Sequence, residues 1–147
     1  MRKLFISLCL LLAYYSNAQN PVQWQFSVKK ISEGLYSWSA KAAVNKPWHI
    51  YSQSTPEGGP IPTSIAFNKN PMIDLEQQVK EQGKMITKRE EVFGVDVKYY
   101  DGTVEFIQVF KLKRKIKTNI SGTIEYMVCN DSECLPPKKQ SFSLAVQ

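Results

Sequence analysis

Four large apolar side chains, Val22, Trp24, Phe26 and Val28, alternate with Gln23, Gln25, Ser27 and Lys29 early in the chain. An extended strand puts successive residues on opposite faces, so this run predicts a half-buried β-strand with its rings on one side. Ser32-Glu33-Gly34 then turns the chain into a second alternating run, Tyr36, Trp38, Ala40 and Ala42, the expected hairpin partner. The theme returns at residues 48–51, 64–67, 72–79, 92–99, 104–112, 123–129 and 141–146. Turn chemistry separates several of these runs: Pro56-Glu57-Gly58-Gly59-Pro60, Asn68-Lys69-Asn70-Pro71 and the hairpin signal Asp101-Gly102. About eight or nine short strands of this kind predict an all-β domain, an immunoglobulin-like antiparallel β-sandwich, with a closed barrel as the alternative. Residues 74–82 also tolerate a helix, because Met72, Leu75 and Val79 match helical spacing.

The first 18 residues read as a signal peptide. Arg2 and Lys3 give a positive start, Leu4 to Ala13 an apolar run, and Ser16-Asn17-Ala18 the small residues that precede a cleavage site before Gln19. The apolar run falls short of the roughly 20 residues that a membrane helix needs, so export to the periplasm without stable membrane insertion is expected. Leu8 stands where a lipoprotein signal wants a small residue, which argues against lipid attachment at Cys9. Residues 19–147 then form one domain of ordinary size, expected to be monomeric. Removing Arg2 and Lys3 lowers the formal net charge from +6 to +4, too mild a balance to argue for nucleic acid.

Several conspicuous residues have structural explanations. His49 is the only histidine, and with two mature cysteines it falls short of a four-ligand zinc site unless a carboxylate joins them, so it reads as structural. Neither a metal nor a cofactor is expected. Lys111, Lys113, Lys115 and Lys117 would share one face of a strand, which suits a solvated face or a lysine-guarded edge. Trp24, Trp38 and Trp48 read as core. No Gly-rich phosphate loop and no recognisable serine nucleophile is present.

Cys129 and Cys134 are the only cysteines left after the leader, and an exported chain carries them where thiols are oxidised. A bridge between them closes a very short loop, worth roughly 2 kcal/mol by the chain-entropy argument, little for a domain of this size. Residues 123–129 read as a strand, Asn130 to Glu133 as a hairpin tip and Cys134 as the start of the return leg, near an accessible end of the sandwich. Exchange requires such access, because a partner's thiolate must reach a sulfur. Asp131 and Glu133 lie between the cysteines with no basic residue, and negative neighbours disfavour a thiolate. That pattern fits a pair that reacts only when a specific partner has docked.

The cysteine segment with its trailing Leu135-Pro136-Pro137, on a secreted β-sandwich, resembles the N-terminal periplasmic domain of the thiol-disulfide interchange family DsbD. Lys46-Pro47-Trp48-His49-Ile50-Tyr51 is similar to that family's aromatic strand near the active site. Glu90-Glu91-Val92-Phe93-Gly94 is similar to the acidic-aromatic-glycine loop that caps the cysteines. The resemblance extends over nearly all of residues 19–147. It implies that Cys134 forms the mixed disulfide with partners and that Cys129 resolves it. It further implies that Val92 or Phe93 shields the pair, with Glu90 and Glu91 in the same cap, and that Tyr51 lines the site.

Two local departures stand out. Four residues separate the cysteines where well-known members have five, and Val92 falls where an aromatic cap residue is expected, leaving Phe93 as its substitute. A third concerns architecture: the family protein continues into a membrane electron-conducting domain and a thioredoxin-like domain, whereas this chain stops at Gln147. The function expected is therefore a thiol-disulfide oxidoreductase module. It would take electrons from a separate membrane thiol transporter and pass them to oxidised thioredoxin-fold periplasmic proteins. The alternative is a secreted interaction or structural module whose disulfide is only a staple.

Overall fold

Alternation in the sequence becomes alternation in burial. The structure, a computed structural model, describes residues 20–147, so the leader and Cys9 lie outside the described residues. Eleven strands follow one another: β1 (Val22–Ser32), β2 (Leu35–Val44), β3 (His49–Tyr51), β4 (Ser64–Phe67), β5 (Ile73–Gly83), β6 (Ile86–Glu90), β7 (Val95–Tyr100), β8 (Thr103–Leu112), β9 (Thr118–Tyr126), β10 (Val128–Cys129) and β11 (Lys138–Val146). They form three antiparallel sheets, ordered β1-β2-β8-β5, β10-β3-β7-β6 and β11-β9-β4. Sheet edges at β1, β5, β4 and β6 are left open by this order, so the sandwich expected from the sequence forms and the closed barrel does not.

In β2, Tyr36, Trp38, Ala40, Ala42 and Val44 are buried, and in β8 Val104, Phe106, Gln108 and Phe110 are. Register places Ala40 between Phe26 of β1 and Phe106 of β8, so rings on neighbouring strands close over a small residue. From the facing layer come Ile120, Ile124 and Tyr126 of β9 and Phe142 and Val146 of β11. All three tryptophans belong to this core, Trp24 at its half-buried margin.

Residues 74–82 are strand, not helix. Between Glu76 and Lys80 the pairing of β5 with β8 slips, and Gln77 takes a left-handed backbone at φ 61°. The slip amounts to two residues, so odd-numbered positions keep one face on both sides of it, with Leu75 opposite Phe110 and Glu81 opposite Phe106, while Met72 lies in the turn before the strand. Buried Gln108 closes the gap by donating Nε2–H to the carbonyls of Glu76 at 2.7 Å and Gln77 at 3.3 Å.

Two other expectations are corrected. Strand β8 ends at Leu112 and lies inside its sheet, so the lysines at 111–117 neither guard an edge nor share one strand face. Three of them sit at carboxylates instead: Lys111 at Glu76 (3.1 Å), Lys113 at Asp74 (2.9 Å) and Lys115 at Glu33 (2.8 Å). Residues 92–94 belong to a turn, and β7 starts only at Val95.

Strand β3 has just three residues, yet its position is fixed by polar contacts on the loop that follows. Ser52 Oγ (2.6 Å), Gln53 N–H (2.7 Å) and Tyr100 Oη (2.7 Å) all donate to the carboxylate of Glu81 on β5. Thr63 Oγ1 donates to the carbonyl of Tyr51. A charged acceptor serving three donors holds more firmly than neutral bonds do, so the short strand is tied to the large sheet at its C-terminal end.

Candidate functional site

Chain geometry around Met127 brings the two cysteines to an open end of the sandwich. Strand β9 pairs with β11 and β4, whereas β10, one residue further on, pairs with β3. The chain thus changes sheets at Met127 and sets Val128 opposite Ile50 and Cys129 opposite His49. Asn130 then shapes the hairpin tip: its Oδ1 accepts the N–H groups of Ser132 and Glu133, both at 2.8 Å. The Leu135 N–H returns to the Val128 carbonyl at 2.9 Å, and Cys134 faces Cys129 across an isolated antiparallel bridge. The sulfurs are joined as a disulfide, with Cα atoms 4.0 Å apart.

The two halves of the bridge meet solvent unequally. Cys129 is 2% exposed, whereas Cys134 lies in the exposed tip. Both line a cleft of about 370 Å³ with His49, Tyr51, Lys88, Glu90, Phe93, Asn130 and Asp131. Two residues of the acidic-aromatic loop therefore line the same cleft as the cysteines. Glu90 ends β6, and its carbonyl accepts the N–H groups of Phe93 at 3.1 Å and Gly94 at 2.8 Å, a tight turn that brings the Phe93 ring back to the cleft. Gly94 has φ 68°, a left-handed conformation for which glycine carries no side-chain penalty. Glu91 and Val92 are exposed in the same turn, Val92 to 88%, and line no part of the cleft.

Tyr51 is buried, and its hydroxyl is pushed up to about 12 by burial first and by the Glu90 and Tyr99 charges after that. It therefore stays a neutral hydrogen-bonding group at physiological pH. His49, read as structural from sequence, stands beside the disulfide. Its Nε2 lies 3.1 Å from Tyr51 Oη, and its ring packs on Tyr99 with centroids 4.3 Å apart. Lys88 sits at Glu90, 3.3 Å away. Among the described residues no group of three or more His, Cys, Asp or Glu side chains is arranged to hold a metal ion.

Of the residues singled out from sequence, the cleft brings together Cys129, Cys134, Tyr51, Glu90 and Phe93 and leaves out Glu91 and Val92, and it adds His49 and Lys88, which sequence reasoning did not place there. One signal for His49 was legible: it alternates with Tyr51 about Ile50, and residues two apart on a strand share a face. If Phe93 shields the sulfurs, Phe93→Ala speeds alkylation of the reduced protein several-fold, since thiol reactivity follows access as well as ionisation. An unchanged iodoacetamide rate with the fold intact would remove Phe93 from the shield.

The chain is similar to known proteins. Residues 18–146 match the family described as thiol:disulfide interchange protein DsbD, N-terminal. No curated protein matches the sequence. Among solved structures, the N-terminal periplasmic domain of ScsB from Proteus mirabilis aligns with a TM-score of 0.54 at 20% identity, over 88% of this chain. This chain covers 47%, about half, of that ScsB chain. The complex between the DsbD N-terminal and PilB N-terminal domains from Neisseria meningitidis aligns with a TM-score of 0.52 at 14% identity, covering 83% of this chain and 80% of that one. The reduced DsbD N-terminal domain from Neisseria meningitidis gives 0.50 at 13% identity, covering 82% and 84%. The fold is that of these immunoglobulin-like domains. With 129 of its residues inside the family match and a bonded cysteine pair in the cleft, the chain belongs to the DsbD N-terminal family.

Proposed function

We propose that this chain is a periplasmic thiol-disulfide exchange module that relays reducing equivalents through Cys129 and Cys134. The observation that carries the reading is the unequal exposure of one bonded pair, with Cys134 open to a partner and Cys129 behind it. In the reduced protein the Cys134 thiolate attacks a partner's disulfide, and one partner sulfur leaves as a thiolate. Cys129 then attacks the Cys134 sulfur, the second partner sulfur leaves, and two electrons have passed to the partner. Glu90, Phe93 and Tyr51 shape the entrance, with Phe93 taking the shielding position that Val92 leaves to solvent.

Membership of the family supports exchange in general. Donor and acceptor are proposed from the same resemblance: a membrane thiol transporter on one side and oxidised thioredoxin-fold periplasmic proteins on the other. Support for the second comes from the Neisseria domain, solved in complex with the PilB N-terminal domain. The periplasmic setting rests on export by residues 1–18 and on the ScsB relative's description as a periplasmic domain. Among the described residues no helix is long and apolar enough to cross a membrane.

One preparation tests the reading. Protein recovered from the cell envelope should have the mass of residues 19–147, and its disulfide should equilibrate with dithiol buffers at a potential above about −300 mV. A potential below that value marks a structural bond and returns the domain to the role of a secreted interaction module. A retained leader would remove the argument for the periplasm.

A further inference from the structure

Resolution of a mixed disulfide needs Cys129 as a thiolate, and its surroundings oppose that charge. The side chain is almost fully buried, and Asp131 and Glu90 line the same cleft, with Lys88 as its one Lys or Arg among the described residues. Burial and negative neighbours both favour the neutral thiol. A thiol with an ordinary value near 8.5 is only about 3% ionised at pH 7, and these surroundings lower that fraction further. The cleft must therefore supply a proton acceptor if the second step is to be fast near neutral pH.

We infer that His49 is that acceptor: directly opposite Cys129 in the β3–β10 ladder and lining the same cleft, its imidazole takes the Cys129 thiol proton as the mixed disulfide resolves. Residues directly opposite in an antiparallel pair project to the same face with Cβ atoms roughly 5 Å apart, which brings an imidazole to a neighbouring thiol. The tautomer that donates Nε2–H to Tyr51 Oη leaves Nδ1 with a free lone pair. Packing against Tyr99, with the two rings tilted by 36°, holds the imidazole in place.

The groups facing His49 come from five elements: Tyr51 on β3, Lys88 and Glu90 on β6, Tyr99 on β7, Asp101 in the turn before β8, and Asp131 in the tip after β10. Burial holds the imidazole below the usual histidine range, and Lys88 acts the same way, against the opposing pull of Asp131, Glu90 and Asp101. The ring is thus neutral and able to accept a proton at pH 7.

This inference rests on the exchange reading and adds one proton transfer to it. The Cys129 S–H bond breaks as the imidazole gains the proton, and the Cys129 thiolate forms the S–S bond to Cys134. The partner sulfur leaves as a thiolate and recovers the proton from the imidazolium. In the reverse direction, when a donor thiolate opens the bridge at Cys134, the imidazolium protonates the departing Cys129.

Oxidised glutathione serves as the probe, with acid-quenched intermediates weighed by mass spectrometry. In His49→Gln, which keeps a polar side chain near Tyr51 but cannot titrate, capture at Cys134 should proceed as in the wild type. Resolution at pH 7 should slow roughly tenfold or more, at or below the usual scale for losing a general base, so that glutathionylated protein accumulates. The gap should close above the thiol's own ionisation range, where solvent removes the proton. A merely structural role predicts a slowdown that persists at all pH values, and equal resolution rates at pH 7 likewise overturn the inference. The wild type alone gives a second measure that needs no variant. Its resolution rate should rise with pH through the acidic limb of a histidine, below the thiol range, and a rise in the thiol range only would exclude His49. A reduced wild type that forms no glutathione adduct at all would instead defeat the exchange reading on which this step rests.

Discussion

Cys129→Ser is expected to hold a disulfide-bearing partner on Cys134 as a stable mixed disulfide, while Cys134→Ser captures roughly a tenth as much or less. Attack along the S–S axis needs a sulfur that a partner's cysteine can approach, and access differs sharply between the two positions. Cys129 is 2% exposed behind the hairpin tip, whereas Cys134 sits on it. Loss of stability does not mimic this asymmetry. Both variants remove the same bridge across a sequence separation of 5 and forfeit a similar loop-closure term of about 2 kcal/mol. Non-reducing gels and mass spectrometry against a thioredoxin-fold partner read the result. Equal trapping by the two variants would mean that Cys129 is as reachable as Cys134 in solution. Absence of adducts in both, with a wild-type bridge that resists physiological dithiols, would reduce the pair to a staple.

The sandwich was legible wherever one face of a strand meets the core. Trp24 and Phe26 in β1, Trp38 and Ala40 in β2, and Phe106 and Phe110 in β8 all follow the period of two that the sequence displays. Strand β6 was not legible, because it is an edge strand whose residues after Ile86, Thr87-Lys88-Arg89-Glu90, are all polar. The bulge in β5 was hidden for a different reason: Gln77 and the carbonyls that Gln108 ties down leave no mark in hydrophobic spacing. In the site, the cysteines announced themselves by chemistry, and Phe93 only by the likeness of residues 90–94 to the family's cap loop. His49 did not, because its meaning depends on register. A shift of one residue between β3 and β10 would turn it away from Cys129, and that register is set by the sheet change at Met127 and by the Glu81 contacts, all of them long-range.

Trp38→Ala should cost about 3–5 kcal/mol of unfolding free energy, the usual range for truncating a large buried ring, and chemical denaturation measures it. The expected size follows from how many elements the indole joins. Its ring meets Phe142 of β11 at 4.6 Å, Phe67 of β4 at 5.0 Å edge-on and Phe26 of β1 at 6.3 Å, so one side chain ties both layers of the sandwich. Trp38→Phe separates packing from polarity. The indole Nε1–H is buried without an acceptor, and an unsatisfied buried donor costs about 1–3 kcal/mol. Phenylalanine removes that penalty while giving up part of the contact area, so the two changes oppose each other and the net loss should stay below about 1.5 kcal/mol. A Trp38→Phe loss as large as that of Trp38→Ala would show that the donor has a partner in solution. Cys134 lies outside this ring cluster, in the tip beyond β10, so native Trp38→Phe protein should capture glutathione at the wild-type rate. A slower capture would mean that the ring cluster also sets the position of the hairpin tip, through β9 and the sheet change at Met127.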